Sequence, residues 1–191
     1  HQHDPKQTSM RKRTTQEIYW LHNQKKSPLS ESVIVWAHNI RSLHNVGAVF
    51  RNCDAFGVKE LWLSGFTPVP PRPEISKAAI GAEESVRWRS IHSIDAGMAE
   101  LRAGRYEVVA LEQTDQSSEI GHYQPETKAV CIVLGNEVTG IDESLLQHCD
   151  LAVEIPQFGT KHSLNVSVAS GIALYALYSF FQPRRMDSEP L

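Results

Sequence analysis

Cysteine is scarce in this chain of 191 residues, and the three that occur are Cys53, Cys131 and Cys149. An odd number of cysteines without a CxxC pair is typical of reduced thiols rather than of a disulfide framework. The nine histidines show no HxxxH spacing, so they form no zinc-ligand pattern with these thiols. Ser64 lacks the GxSxG context of a hydrolase nucleophile. We therefore expect a protein that uses neither a metal nor a serine nucleophile.

Long apolar runs are also absent from the sequence. No run reaches the roughly 18 residues that a membrane-spanning helix requires, and no secretion signal opens the chain. Glycine and proline, at 11 and 10 residues, are at average levels, which excludes a fibrous repeat or a low-complexity chain. With 41% hydrophobic and 21% charged residues, the composition is that of one globular domain. We expect a cytoplasmic protein without a membrane partner.

The net charge of -3 is small, which excludes a polycation of the histone kind, but the charge is unevenly distributed. Residues 1–30 carry a net charge of +4, and the rest of the chain carries -7. The basic side chains of the first segment are Lys6, Arg11, Lys12, Arg13, Lys25 and Lys26. A basic extension of this kind fits contact with a polyanion, and it equally fits a solvated tail. We expect an N-terminal extension over residues 1–30, one domain over residues 31–182 and a tail over residues 183–191.

Short apolar runs alternate with amphipathic stretches from residue 33 onward. The pattern predicts strands at residues 33–38, 60–64, 86–89, 106–111, 129–134 and 151–155. It predicts helices at residues 45–56, 93–102, 142–148 and 164–181. Strands that alternate with helices, and that are apolar on both faces, indicate an α/β fold with a parallel sheet covered on both sides. Ligands of such sheets bind beyond the carboxyl ends of the strands, so the loops after Leu134 and Ile155 are the candidate site.

Polar and glycine residues cluster at the start of the first of these helices. Asn45 is a good N-cap residue, and Gly57 is a good residue to end the same helix. Arg51 lies away from the apolar stripe of this helix. Taken alone, it fits a solvated arginine better than a functional one.

Two further clusters follow predicted strands. Gly135, Asn136 and Glu137 come after the strand that ends at Leu134, and a glycine-rich turn explains them as well as a ligand site does. Ser163 and Asn165 lie at the mouth of the last helix, where they fit either capping or anion binding.

Together the three clusters resemble the signature motifs of the SpoU (TrmH) branch of the SPOUT RNA methyltransferases. All three occur in the order of that family, within residues 33–181, and residues 77–82 (KAAIGA) are similar to a segment between them. Three motifs in the correct order and strand context are a specific signal. The matching residues are Asn45-x-Gly47-x-x-x-Arg51 with Gly57, then Leu134-Gly135-Asn136-Glu137-x-x-Gly140, then Ile155-Pro156-x-x-Gly159-x-x-x-Ser163-Leu164-Asn165-Val166-Ser167-x-Ala169.

The resemblance implies a parallel-sheet SPOUT domain whose C-terminal segment forms a deep trefoil knot. It also implies a homodimer, which fits the apolar character of the last helix. S-adenosylmethionine is then the cofactor, held largely by backbone groups of the second and third motifs. Those positions are Leu134, Gly135, Asn136, Glu137, Ile155, Pro156, Ser163, Leu164 and Asn165.

The implied activity is methyl transfer to a ribose 2′-hydroxyl of tRNA or rRNA, and the RNA is the expected partner. The resemblance gives Arg51 the central catalytic role, and we expect Asn45 and Glu137 to orient its side chain. Ser163 and Asn165 complete the implied catalytic set. Only about 30 residues precede the first strand, which favours tRNA slightly, because several rRNA-directed relatives carry an additional N-terminal domain. The alternative is a knotted RNA-binding chaperone or assembly factor that retains the pocket without catalysis.

Overall fold

A seven-stranded parallel sheet forms the centre of the computed structural model, which describes residues 9–183. The strand order is β3-β2-β1-β6-β4-β7-β5. Parallel pairing throughout confirms the predicted sheet, although the short β5 was not predicted and β3 begins two residues later than expected. The strands are β1 Val33–His38, β2 Glu60–Ser64, β3 Trp88–Ile91, β4 Glu107–Leu111, β5 Ser118–Glu119, β6 Val130–Leu134 and β7 Leu151–Glu154.

Helices connect the strands, and their observed starts correct two of the predictions. The first predicted helix begins at Leu43 rather than at residue 45, because Ser42 is its N-cap and accepts the backbone N–H of Asn45 at 3.2 Å. Asn165 caps the last helix, so the capping interpretation of Ser163 is wrong. The helices are α1 Thr15–Asn23, α2 Leu43–Phe56, α3 Pro73–Ala79, α4 Ala82–Ser85, α5 Ile94–Ala103, α6 Glu143–Leu146 and α7 Val166–Phe181.

Apolar side chains fill both faces of the sheet. On one face, alternate residues of β1 such as Val35 pack into a core that includes Phe50 of α2 and Leu174 of α7. On the other face, Trp36 and Trp62 meet edge to face at 5.5 Å within a second core. Gly57 ends α2 in the left-handed conformation (φ 60°), as its sequence position predicts. The two covered faces leave the carboxyl ends of the strands as the place where loops gather.

The helix α1 was not predicted. Thr14 and Glu17 form a capping box at its start, but none of its residues is buried. The chain is attached to the core beyond this helix, where the Ser27 hydroxyl donates to the carbonyl of Phe56 and Leu29 is fully buried. The extension therefore carries a helix that packs on no core.

No helix among residues 9–183 is both long and apolar enough to cross a membrane.

The contact between α2 and α3 depends on a glycine. A Cβ atom on Gly47 would lie 2.4 Å from the carbonyl oxygen of Ile75 and 2.7 Å from the Cβ of Ala78. Such distances are far below van der Waals contact, so any side chain at residue 47 must push the two helices apart.

We expect Gly47→Ala to lower the free energy of unfolding by about 1 to 3 kcal/mol, the usual cost of overpacking a tight contact. Gly171→Ala in α7 is the matched control, because the nearest atoms to its new Cβ would lie at 3.6 Å. The control should gain up to about 1 kcal/mol from its better helix propensity. Urea unfolding of the two variants measures both effects. Equal stability of the two variants would contradict the close-packing argument.

Candidate active site

A cavity of about 530 Å³ lies at the carboxyl ends of β4, β6 and β7. This volume is within the range of small-molecule sites in proteins. Three loops line the cavity, together with Asn45 and Ala169 from the starts of α2 and α7. All of the predicted cofactor-binding residues line the cavity except Pro156, whose two neighbours do. The structure thus brings the second and third clusters of the sequence to one place.

The loop after β6 turns tightly on itself. Asn136 and Gly140 exchange two backbone hydrogen bonds of 2.9 and 3.0 Å, and Gly140 has a left-handed conformation (φ 74°). A Cβ atom on Gly135 would lie 2.4 Å from the backbone of Gly140 and Ile141. Because nothing larger than hydrogen fits there, Gly135 keeps this wall of the cavity as bare backbone.

The Glu137 side chain fastens this loop to the start of α2. Its carboxylate accepts the backbone N–H groups of Arg41 and Ser42, each at 2.8 Å, and the Nδ2 group of Asn45 at 3.0 Å. Burial opposes ionisation of Glu137, but these hydrogen bonds outweigh it and hold the pKa of the carboxyl below its usual value. An ionised carboxylate therefore occupies the N-terminus of α2, where the helix dipole also favours it.

Asn45 links the first and second clusters to the third. While its Nδ2 donates to Glu137, its Oδ1 accepts the Nδ2 of Asn165 at 3.2 Å. The Oδ1 of Asn165 in turn caps α7 by accepting the backbone N–H of Ser167 at 2.9 Å. A chain of side-chain hydrogen bonds thus joins the loop after β6 to the start of α2, and the start of α2 to the start of α7.

A second set of polar contacts holds the far side of the same loop. Asn136 donates from Nδ2 to the backbone carbonyl of Asn39 at 2.8 Å, and Asn39 donates from its own Nδ2 to Asp142 at 3.0 Å. His38 lies between Asp142 and Ser64, with ring nitrogens 3.2 Å from the carboxylate and 2.7 Å from the hydroxyl. These contacts tie the loop to the ends of β1 and β2.

Arg51 and Ser163 stand apart from this chain of bonds. Arg51 is exposed on α2, and within residues 9–183 its side chain has no hydrogen bond or ion pair. Asn45 and Glu137 bond to each other, so the expectation that they orient Arg51 directly is not met. Ser163 lines the cavity, is exposed and makes no capping bond to α7. Both side chains are free to meet a ligand.

Sequence reasoning missed Leu111, Glu112 and Gln113, which line the same cavity. Their position at the end of a predicted strand and directly after it was the available signal. It pointed to no site because the sequence does not reveal that β4 lies between β6 and β7.

The part of the chain that the structure describes has no group of three or more His, Cys, Asp or Glu side chains suited to hold a metal. The thiols of Cys53 and Cys131 are buried, and burial raises the pKa of each well above its usual value. Burial likewise raises the pKa of Cys149 to about 12. None of the three thiols is therefore a ready nucleophile.

Comparison with known proteins agrees with this geometry. The chain is 30% identical over 163 residues to a tRNA (guanosine(18)-2′-O)-methyltransferase of Aquifex aeolicus, covering 84% of this chain and 75% of that protein. It is 32% identical over 131 residues to a 23S rRNA (guanosine-2′-O-)-methyltransferase of Neisseria meningitidis, covering 69% of this chain. It spans only 52% of that second protein.

Among solved structures, an AdoMet-bound rRNA methyltransferase from Sinorhizobium meliloti superposes with a TM-score of 0.72 at 25% identity. The match covers 83% of this chain and 60% of that one. The family model described as the SpoU rRNA Methylase family matches residues 32–175, which include all three clusters of the candidate site. By this match and by its relatives, the chain belongs to the SpoU methylase family.

Proposed function

We propose that this protein transfers a methyl group from S-adenosylmethionine to a ribose 2′-hydroxyl of tRNA or rRNA. The observation that carries the proposal is the joining of Asn45, Glu137 and Asn165 beside a cavity walled by bare backbone at Gly135. The names of the relatives support both RNA classes. We favour tRNA, because the Aquifex tRNA enzyme is matched over three quarters of its length.

The cavity suits S-adenosylmethionine in size and in the character of its walls. When bound, this cofactor supplies an activated methyl group on a sulfonium centre. The chain contributes close-approach backbone at residues 134–137 and at Ile155, and Ser163, Leu164 and Asn165 also line the cavity. Pro156 is proposed to fix the turn after β7 rather than to line the cavity.

Arg51 is the proposed catalytic side chain. A guanidinium is a poor base because its pKa exceeds about 12, so it is suited to pair with an RNA phosphate and to stabilise the developing alkoxide. Glu137 and Asn45 act on it indirectly, because they fix the start of the helix that carries Arg51. Ser163 lines the cavity, and its hydroxyl is available to a ligand because it does not cap α7.

We further propose the knot, the homodimer and the domain boundaries that the resemblance implies. The placement of β4 between β6 and β7, and the packing of α7 on α2, support a knotted C-terminal segment. α7 leaves apolar side chains exposed opposite its buried face, which supports a partner subunit there. The outward side chains are Val168, Ile172, Tyr175 and Phe180. The methyltransferase domain is proposed to span residues 31–182, between the extension 1–30 and the tail 183–191.

We expect the protein to bind S-adenosylhomocysteine equally well with and without a chelator, because backbone groups build the pocket. Gly135→Val should weaken this binding strongly, since its side chain must displace the backbone of Gly140 and Ile141. Gly121→Ala is the control, because its new Cβ would meet no atom within 4 Å. Titration calorimetry measures all of these affinities. Binding that disappears with the chelator, or that is absent from the wild-type protein, overturns the cofactor assignment.

Arg51→Ala should slow methyl transfer by about 100-fold to 1000-fold, which corresponds to roughly 2 to 4 kcal/mol of lost transition-state stabilisation. Cofactor affinity should stay unchanged, because Arg51 does not line the cavity. Arg51→Lys should restore activity only in part, since lysine lacks the planar two-donor fork. Single-turnover assays with radiolabelled cofactor measure these rates.

Arg87→Ala is the matched control for this experiment, because Arg87 is an exposed arginine that precedes β3, at the opposite end of the strands. Wild-type turnover of Arg51→Ala on its RNA would show that the arginine is merely solvated. If the wild-type protein binds RNA and cofactor but transfers no methyl group, the alternative holds, in which the protein is a knotted RNA-binding chaperone or assembly factor without catalysis.

The N-terminal extension is proposed to add affinity for RNA. Beside its cations, α1 exposes Tyr19 and Trp20, with 72% and 61% of their surfaces accessible. Cationic side chains next to exposed aromatic rings are typical of surfaces that bind single-stranded nucleic acid, because bases stack on the rings. Arg11 and Lys26 pair with Glu17 and Glu31, but both pairs are largely exposed and weak.

Deleting residues 1–26 should weaken RNA binding and flatten its salt dependence, by roughly 0.7 in the log-log slope for each phosphate that the truncated protein no longer neutralises. The cut falls before Ser27, so the contacts of Ser27 and Leu29 with the domain remain. Trp20→Ala should weaken binding without changing the slope, because it removes no charge. Fluorescence anisotropy at several salt concentrations measures the RNA affinity and the slope of its salt dependence. Unchanged affinity and slope after the deletion would identify the extension as a solvated tail.

A further inference from the structure

The strand β4 has a special place in the sheet. It lies between β6 and β7, and the loops after those two strands form the walls of the proposed cofactor cavity. Parallel strands end at the same edge of a sheet, so the first residues after β4 emerge between the two walls. Those residues are Glu112 and Gln113, and both line the cavity.

Glu112 is bound to the wall that follows β6. Its Oε1 accepts the backbone N–H of Ile141 at 3.0 Å. The same oxygen lies 2.1 Å from the place where a Cβ on Gly140 would stand, so the carboxylate rests directly on the loop backbone. The backbone N–H of Glu112 donates to the carbonyl of Val153 in β7 at 3.0 Å, which fixes the position of the residue itself.

Gln113 is bound to the wall that precedes α7. Its Nε2 donates to the backbone carbonyl of His162 at 2.8 Å. Within the described part of the chain, this is the one hydrogen bond that joins residues 156–164 to any residue outside the loop after β7. This long wall of the cavity therefore depends on a single side chain for its polar attachment to the sheet.

We propose that Glu112 and Gln113 are positioning residues that clamp the two cofactor loops at a fixed separation and thereby set the affinity for S-adenosylmethionine. The inference rests on the proposed function for the identity of the ligand, whereas the clamp itself rests on the two hydrogen bonds. A pocket whose walls are already held in the binding geometry loses less conformational freedom on binding. Two adjacent residues at the end of β4 can hold both loops in this geometry, because each of the two bonds to a different loop.

The test uses substitutions that remove or keep one hydrogen bond at nearly constant size. Gln113→Glu replaces the donor by a carboxylate, which repels the carbonyl of His162, whereas Gln113→Lys keeps a donor. Glu112→Met removes the acceptor for Ile141, whereas Glu112→Gln keeps one. Gln116→Glu is the matched control, because Gln116 is exposed in the same segment and its side chain makes no hydrogen bond in the described structure.

In titration calorimetry with S-adenosylhomocysteine, we expect Gln113→Glu and Glu112→Met to bind roughly tenfold more weakly, the effect of loosening a supporting contact. Gln116→Glu should stay within about twofold of the wild type, Gln113→Lys and Glu112→Gln should bind more tightly than the disruptive variant at the same residue, and thermal unfolding should show all five variants folded. In methyl transfer, Gln113→Glu should raise the KM for the cofactor more than it lowers kcat. Wild-type affinity in both disruptive variants overturns the proposal.

Amide hydrogen exchange without any ligand separates the clamp from the proposed function. Glu112→Met should speed exchange at Ile141, and Gln113→Glu should speed it across residues 156–164. Unchanged exchange at both places overturns the clamp. Wild-type protein that binds no S-adenosylhomocysteine, but whose variants show the faster exchange, overturns the assignment of the ligand and leaves the clamp standing.

Discussion

The carboxylate of Glu137 is the contact on which the rest of the site depends. It accepts two backbone N–H groups at the start of α2 and the amide of Asn45, so that one side chain holds a loop of the sheet, a helix and, through Asn165, a second helix. Its depressed pKa means that this stabilisation is present at neutral pH and is lost as the pH falls through the folded-state pKa. The geometry of the cavity is thus coupled to one ionised group.

The same carboxylate also bears on where RNA would bind in the proposed function. A helix N-terminus is ordinarily a good place for a phosphate, but at α2 the protein's own carboxylate already lies there, bound to the N–H groups of Arg41 and Ser42, and its charge repels a phosphate. In the proposed function, RNA phosphates are met instead by side chains such as Arg51 and by the cations of the extension. Under that proposal, the cavity binds the cofactor and the outer surface of α2 contacts the RNA.

Much of the fold was predictable because its strands are continuous apolar runs, and such runs give a local signal. α1 was missed because its apolar side chains pack on no core, although the Thr14–Glu17 capping box was present in the sequence. Asn45 was wrongly predicted to cap α2, because Ser42, three residues earlier, is an equally good cap. Glu112 and Gln113 could not be found, since their role follows from strand order, which depends on contacts distant in sequence.

The side chains around His38 have the arrangement of a catalytic triad without its chemistry. A carboxylate can only accept, so in the neutral ring Nε2 carries the proton toward Asp142 and Nδ1 accepts from the Ser64 hydroxyl. This is the order of an Asp–His–Ser triad with the two ring nitrogens exchanged. Ser64, however, is only 5% exposed, its oxygen also accepts the indole N–H of Trp36, and it does not line the cavity. Interatomic distances alone would therefore suggest a hydrolase triad here. The hydrogen bonds of the same three side chains instead hold the ends of neighbouring strands together.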